Sequence, residues 1–255
     1  MKTHNFSAGP SILPQSVITN ASKKVLDFDN ELSILEISHR SNAFTDVMSE
    51  SISLVRDILE VPTNYSIIFL QGGASLQFCM VALNLLKKNN GSAAYLNTGT
   101  WSKKAIFEAK KFGEIEIVGD SSHKNFNYIP KDFKISDSHD YFHCTSNNTI
   151  YGSQIKTFPK CNVPVVCDMS SDIFSRKIDV NKFGLIYAGA QKNLGPAGAT
   201  LVIVKDEILG KSERDIPSML DYRTHIDKKS MFNTPPVFSV YVSMLNLRWL
   251  KSKGG

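Results

Sequence analysis

Short apolar segments alternate with helical segments along most of the chain, and this alternation constrains the fold more than any other sequence feature. The apolar segments are rich in Val, Ile and aromatic residues, and turn residues bound them. They predict strands at residues 65–70, 93–96, 114–118, 140–144, 163–168, 185–188 and 200–204. Strands that alternate with helices form βαβ units with parallel neighbours. We therefore predict an α/β fold with a mostly parallel sheet of about seven strands flanked by helices.

Apolar residues recur at helical spacing between these segments. They predict helices at residues 14–26, 44–59, 76–86, 101–112 and 237–251. Pro14 is expected near the first turn of its helix, where the missing N–H costs nothing. The apolar run at residues 33–37 is typical of a strand instead. Ligands of such sheets bind beyond the carboxyl ends of the strands, so polar residues at those ends are the candidates for function.

Composition narrows the classes of protein. The chain has 255 residues and a formal net charge of +5, with no block of five basic residues, so we expect no nucleic-acid binding. No apolar run approaches the roughly 20 residues that span a bilayer, and the N-terminus lacks a signal-peptide pattern. A cytoplasmic protein without membrane contact is expected. The four cysteines form no CxxC pair, which predicts reduced and mostly buried thiols.

Lys192 lies in a run of small residues, 187–198, directly after an apolar segment. A lysine surrounded closely by backbone is poorly hydrated, and desolvation disfavours its ammonium form. The neutral amine is a nucleophile that forms Schiff bases with aldehydes such as pyridoxal 5′-phosphate (PLP). The alternative is a lysine at a loop rim, with Gly195 and Pro196 serving only as a turn.

Two other features occur in the chain order expected of a PLP enzyme. A glycine turn, residues 72–75, follows a predicted strand and precedes a helix, as in a phosphate-binding turn. Asp168 ends another predicted strand, where its carboxylate could keep a pyridine nitrogen protonated. Each has a purely structural alternative: the glycines can serve the turn sterically, and Asp168 can cap the segment after it.

Histidines supply two further candidates. His139 and His143 are four residues apart, but the predicted strand at residues 140–144 breaks the helical geometry that a metal site would need, so no metal is expected. His39 and Arg40 follow the run at residues 33–37, and arginine recognises phosphate or carboxylate through paired hydrogen bonds. An exposed basic pair before a helix is the alternative.

Four motifs together resemble those of the phosphoserine aminotransferase family, which consists of PLP-dependent enzymes of aminotransferase class V. They are residues 5–10, 36–40, 187–198 and 231–236, and the resemblance extends from residue 5 to residue 255. It implies the large domain of the PLP-dependent transferase fold type I. The expected organisation is an N-terminal arm at residues 1–15 and a PLP-binding large domain at residues 16–255 that ends in a long linker helix. The small C-terminal domain of the family is expected to be absent.

The resemblance also implies a role for each matching residue. Lys192 would be the Schiff-base lysine and the base that moves the α-proton, and Asp168 would pair with the pyridine nitrogen. Trp101 would stack on the ring and Thr149 would bind near its O3′. Substrate anions would bind His39 and Arg40. The residues expected at the cofactor phosphate are Ala74, Ser75 and Gln191, together with Asn233 and Thr234 from the neighbouring subunit of a homodimer with a shared active site.

The reaction implied by the resemblance is amino transfer from glutamate to 3-phosphohydroxypyruvate, which gives 2-oxoglutarate and O-phosphoserine for serine biosynthesis. Some members also act on a phosphorylated threonine precursor in pyridoxine biosynthesis. Because the small domain is expected to supply substrate-binding groups, a catalytically weak or silent PLP-binding chain is an alternative. Another class V enzyme is a further alternative, although no cysteine is placed as a desulfurase would need.

Overall fold

A computed structural model describes residues 3–255, so the first two residues of the predicted arm lie outside the described part. Seven strands form one sheet in the order β1-β7-β6-β5-β4-β2-β3. The strands are β1 Tyr65–Leu70, β2 Ser92–Asn97, β3 Glu114–Asp120, β4 Tyr141–Thr145, β5 Val165–Asp168, β6 Leu185–Gly189 and β7 Thr200–Lys205. Each predicted strand from residue 65 onward is confirmed, with ends that differ by at most a few residues.

The sheet is parallel from β3 to β6, and β7 is antiparallel to both of its neighbours. The reversal arises because β6 and β7 are joined by a loop, residues 190–199, rather than by a crossover helix. The prediction of a mostly parallel sheet is therefore confirmed. The carboxyl ends of β2, β4, β5 and β6 meet at one edge, and this edge positions the site described below.

Six α-helices cover the two faces of the sheet. They are α1 Gln15–Leu26, α2 Asn42–Ile58, α3 Gly73–Leu85, α4 Thr100–Ala109, α5 Tyr222–Asp227 and α6 Val237–Ser252. Alternate residues of each central strand point to opposite faces, so two apolar clusters form. One cluster packs beneath α1, α2 and α6, and the other packs beneath α3, α4 and α5. The predicted helices are confirmed, and α5 was not predicted.

Three local predictions need correction. Residues 33–37 form a turn rather than a strand, because Ser33 Oγ accepts from the Leu35 N–H and Glu36 accepts from the Ser33 N–H. The helix expected from residue 76 begins at Gly73, so the glycine turn supplies the first helical turn. The helix expected from residue 14 begins at Gln15, and Pro14 is its N-cap residue, next to the first turn as predicted.

The described part of the chain shows three further properties. No helix within residues 3–255 combines the length and apolarity needed to cross a bilayer. No cluster of three metal-ligating side chains occurs among the same residues. All four cysteines are free thiols; Cys144 and Cys167 are buried, and Cys79 and Cys161 are partly buried.

Candidate active site

The candidate site lies at the carboxyl edge of the sheet, on the face covered by α3 and α4. Thr145, which ends β4, and Tyr187 of β6 are both register partners of Asp168 at the end of β5. The three residues therefore share one face of the sheet. Trp101 in the first turn of α4 and Thr149 in the loop after β4 complete this region.

Lys192 lies in the loop between β6 and β7. Its Nζ donates a hydrogen bond to Thr149 Oγ1 and lies 5.2 Å from the centroid of the Trp101 ring. Burial lowers the pKa of the Lys192 amine, and the negative charge of Asp168 opposes this shift only in part. The structure therefore brings Thr149 and Trp101 around the Lys192 amine, whose pKa is lowered by burial.

The loop that carries Lys192 is held from both sides. Ser11, which precedes α1, donates its N–H to the Gln191 carbonyl at 3.0 Å and its hydroxyl to the Lys192 carbonyl. From the other side, Asn246 of α6 donates to the Leu194 carbonyl at 2.8 Å. Sequence analysis missed Ser11 and Asn246, because their partners are remote in the sequence and neither residue lies in a recognisable pattern.

Asp168 is buried, with 4% of its surface exposed. Its Oδ1 accepts hydrogen bonds from the Ser170 N–H at 2.9 Å and from the Ser170 hydroxyl at 2.7 Å. Burial raises the pKa of the Asp168 carboxyl, whereas the Ser170 bonds and the positive charge of Lys192 lower it. Within residues 3–255 no donor reaches Oδ2, so this oxygen is available to a ligand.

The glycine turn provides backbone donors. Gly72 adopts a φ of +81°, which favours glycine, and α3 begins at the next residue. The N–H groups of Gly73, Ala74 and Ser75 precede the first intrahelical hydrogen bond, which runs from Leu76 to Gly72. Free N–H groups at the positive end of a helix dipole favour an anion such as phosphate.

Other predicted site residues lie apart from this cluster. Thr234 is exposed, and its carbonyl accepts from Gln71 beside the glycine turn at 2.6 Å; the Asn233 side chain donates to the same carbonyl at 3.3 Å. His39 and Arg40 lie in the turn before α2, and Arg40 is exposed. Among the described residues, no hydrogen bond or ion pair joins these four residues to Lys192 or Asp168. The roles assigned to them by resemblance stay predictions.

Gln191 precedes Lys192 and is partly buried. A Cβ placed on Gly189 would lie 2.8 Å from Gln191 Oε1, so the glycine allows this side chain to fold back on the end of β6. The structure thus places Gln191 beside the Lys192 loop, while its predicted contact with a phosphate stays a prediction.

The residues present fit pyridoxal phosphate. Within residues 3–255 no donor occupies Asp168 Oδ2, which can accept from a pyridine N–H, and the first N–H groups of α3 can donate to a phosphate. The Trp101 Nε1–H is buried and has no partner within residues 3–255, as expected of a donor beside a ligand pocket. The site thus has the groups that this cofactor needs: a nucleophilic amine, an acidic partner for the ring nitrogen, an aromatic ring and a phosphate site.

Comparison with known proteins agrees with this assignment. The family model described as Aminotransferase class-V matches residues 3–255. The phosphoserine aminotransferase of Flavobacterium johnsoniae is 63% identical over 257 residues, a match that covers 100% of this chain and 72% of the relative. The fold and site thus define a PLP-dependent aminotransferase of fold type I.

Two solved structures share this fold. A phosphoserine aminotransferase structure that addresses radiation damage of its Schiff base superposes with a TM-score of 0.96 at 47% identity, covering 100% of this chain and 71% of that chain. The PLP-bound phosphoserine aminotransferase of Trichomonas vaginalis gives 0.94 at 35% identity, covering 100% of this chain and 76% of that one. The chain belongs to the phosphoserine aminotransferase family within the class-V aminotransferases. Its cofactor is pyridoxal 5′-phosphate.

Proposed function

We propose that the protein transfers the amino group of glutamate to 3-phosphohydroxypyruvate, giving 2-oxoglutarate and O-phosphoserine for serine biosynthesis. The observation that carries the proposal is the convergence of Lys192, Thr149 and Trp101 above Asp168, at one edge of the sheet. Membership of the phosphoserine aminotransferase family supports the choice of substrates.

Lys192 is the residue that moves the proton in this proposal. When bound, the cofactor supplies an electron sink for the charge that develops at the substrate α-carbon. Burial lowers the pKa of the Lys192 amine, which raises the fraction of the neutral form, so the amine can act as the base that removes a proton from that carbon. Thr149 orients the amine through its hydroxyl, because Lys192 Nζ donates to Oγ1.

Asp168 and the α3 N-terminus would bind the two ends of the cofactor. Asp168 Oδ2 would hold a proton on the ring nitrogen, since an opposite charge favours the charged form of that nitrogen. The N–H groups of Gly73, Ala74 and Ser75 would hold the phosphate, with help from Gln191. Trp101 would cover one face of the ring and exclude water from the reacting atoms.

His39 and Arg40 are proposed to bind the anionic groups of the substrate. Asn233 and Thr234 are proposed to reach the cofactor phosphate of a second copy in a homodimer. The side chain of Arg40 is exposed and makes no ion pair among the described residues, so its guanidinium is free to pair with an anion.

The Lys192→Ala variant tests the proposal. The purified wild-type protein is loaded with PLP and reduced with borohydride, and its peptides are examined by mass spectrometry. We expect the cofactor on the Lys192 peptide of the wild type and on no peptide of the variant. Amino transfer from glutamate to 3-phosphohydroxypyruvate should fall by about 1000-fold or more in the variant, because the base and the attachment point are both lost.

The matched control is Lys182→Ala, which removes an exposed lysine before β6, at the opposite end of that strand. It should label and react like the wild type. Labelling on lysines other than Lys192 would contradict the cofactor assignment. Labelling on Lys192 without amino transfer to 3-phosphohydroxypyruvate would instead favour a silent PLP-binding chain. Faster amino transfer from glutamate to the 2-oxo acid that corresponds to 4-phosphohydroxythreonine would favour the pyridoxine-pathway substrate.

A further inference from the structure

We propose that Ser170 is a positioning residue of this active site, whose hydroxyl orients the Asp168 carboxylate and ties it to the start of the Lys192 loop. The inference rests on the proposed function, in which Asp168 and Lys192 act on one cofactor. Ser170 lies two residues beyond Asp168 and is itself buried, with 6% of its surface exposed.

The Ser170 hydroxyl links a backbone N–H to the Asp168 carboxylate through two hydrogen bonds. Oγ donates to Asp168 Oδ1 at 2.7 Å and accepts from the Gly189 N–H at 3.0 Å. A serine hydroxyl carries one donor and two acceptor lone pairs, so a bond to the carboxylate commits its only proton. The chain of bonds therefore runs from the Gly189 N–H through Ser170 to the carboxylate, and each bond polarises the next.

The position of these bonds determines the orientation of the Asp168 carboxylate. Both Ser170 donors, the N–H and the hydroxyl, reach the same oxygen, Oδ1. Two bonds to one oxygen lock the side-chain torsions of Asp168 and leave Oδ2 as the oxygen that no donor within residues 3–255 reaches. Bonds to a charged carboxylate are also stronger than neutral ones, so they oppose the cost of its burial.

The second contact reaches the segment that carries the lysine. Gly189 is the last residue of β6 and is buried, and Lys192 follows three residues later. Ser170 thus joins the end of β5 to the end of β6 at the point where the lysine loop departs. Loss of the hydroxyl would leave a buried N–H with a weaker partner or none, which is costly.

The chain provides a matched control. Ser171 is the next residue, and its hydroxyl donates to the Asn147 carbonyl at 2.8 Å and accepts from the Asn147 side chain at 3.0 Å. It is bonded as fully as Ser170, but neither bond reaches Asp168 or the lysine loop. Ser171→Ala therefore measures the effect of losing a hydrogen-bonded serine hydroxyl in the same segment, while the bonds to Asp168 and the lysine loop remain.

The experiment compares the wild type with Ser170→Ala, Ser170→Cys and Ser171→Ala. The pKa of the Asp168 carboxyl is measured by NMR of the protein without added cofactor, and the PLP dissociation constant, kcat and KM for glutamate are measured in its presence. In Ser170→Ala the pKa of Asp168 should rise, because the hydroxyl bond to the charged carboxylate is lost while the bond from the backbone N–H remains. PLP should bind about tenfold more weakly and kcat should fall about tenfold, with little change in KM.

Ser170→Cys keeps the volume and a weak donor, so its values should lie between those of the wild type and Ser170→Ala. If Ser170→Ala does not fold, Ser170→Cys is compared with the wild type instead. An unchanged pKa of Asp168 and unchanged PLP binding in the folded Ser170 variants would overturn the inference, as would equal changes in Ser171→Ala. The pKa comparison needs no turnover, so it still decides the role of Ser170 if the wild type fails to transfer an amino group.

Discussion

At the scale of single residues, burial acts on Asp168 and Lys192 in opposite directions. It raises the pKa of the carboxyl and lowers the pKa of the amine, while the attraction between the two charges opposes both shifts. Because desolvation is the largest cause for each group, the neutral forms gain relative to water. Both shifts move the pKa of the group toward neutral pH, which is the direction that suits groups of a proton-transfer site.

Asp168→Asn is expected to lower kcat by about 10- to 1000-fold, since a carboxylate partner typically shifts the pKa of its neighbour by about one to three units. The amide cannot supply the charge that keeps a ring nitrogen protonated. Steady-state kinetics with saturating glutamate measure the effect.

The control is Asp179→Asn, which changes an exposed carboxylate near the start of β6, where it bonds only Asn181 in the described chain. It should retain the kcat of the wild type. A kcat of Asp168→Asn within about twofold of the wild type would contradict the proposed pairing of Asp168 with the ring nitrogen.

At the scale of elements, α6 determines where the lysine loop can lie. Its polar side chains bond the loop from one side: Ser239 donates to the Ala197 carbonyl at 2.6 Å, and Asn246 donates to the Leu194 carbonyl. Between them the loop approaches the helix so closely that a Cβ on Gly195 would lie 2.2 Å from Ser243 Oγ and 3.1 Å from Ser243 Cα. Only glycine allows this approach without moving the helix or the loop.

Gly195→Ala should therefore lower the free energy of unfolding by about 1–3 kcal/mol, the usual cost of overpacking a buried contact. Urea unfolding followed by circular dichroism measures it. Ser243→Ala removes the nearest clashing atom. The Ser243 hydroxyl is buried and has no partner within residues 3–255, so this single change should cost little.

The double variant should recover part of the loss, because the contact with Ser243 Cα remains. Additive effects of the two changes would show that the clash with Ser243 is not the cause of the destabilisation.

At the scale of the whole molecule, a buried polar cluster lies in the core beneath the active site. His143 stacks on Tyr95 with ring centroids 4.6 Å apart and bonds the Tyr187 hydroxyl at 2.9 Å. Burial lowers the pKa of His143 to about 3 from its ordinary 6.5. The imidazole is therefore neutral in the folded protein at physiological pH, where the unfolded chain also holds it mostly neutral.

This shift predicts a loss of stability in acid. Below pH 6.5 the unfolded state binds a proton at His143, whereas the folded state stays neutral until about pH 3. His143 therefore costs no stability above pH 6.5. Below that pH the free energy of unfolding falls by up to about 1.4 kcal/mol per pH unit.

Urea unfolding at pH 7 and pH 5 tests this prediction. The wild type should lose about 2 kcal/mol more than His143→Gln over this interval. The two proteins share every other titrating group, so the comparison isolates His143. Equal losses in both proteins would contradict a neutral buried imidazole.

Sequence reasoning reached the secondary structure because local patterns encode it. Short, mostly apolar runs bounded by turn residues predict strands at residues 65–70 and 200–204, and both are strands in the fold. Residues 33–37 were assigned wrongly for an equally local reason: Ser33 and Glu36 bond the backbone and close a turn, an option that apolar pattern alone does not reveal.

By itself the sequence determined an α/β protein with seven strands and placed Asp168 at a strand end and Lys192 in a glycine-rich loop, because apolar periodicity and turn residues act over a few neighbours. Only the tertiary structure decided the strand order, the reversal of β7 and the contacts of Ser170 with Gly189 and of Asn246 with the lysine loop. These contacts join residues 19 and 52 positions apart. They depend on how whole elements pack, which no local pattern specifies.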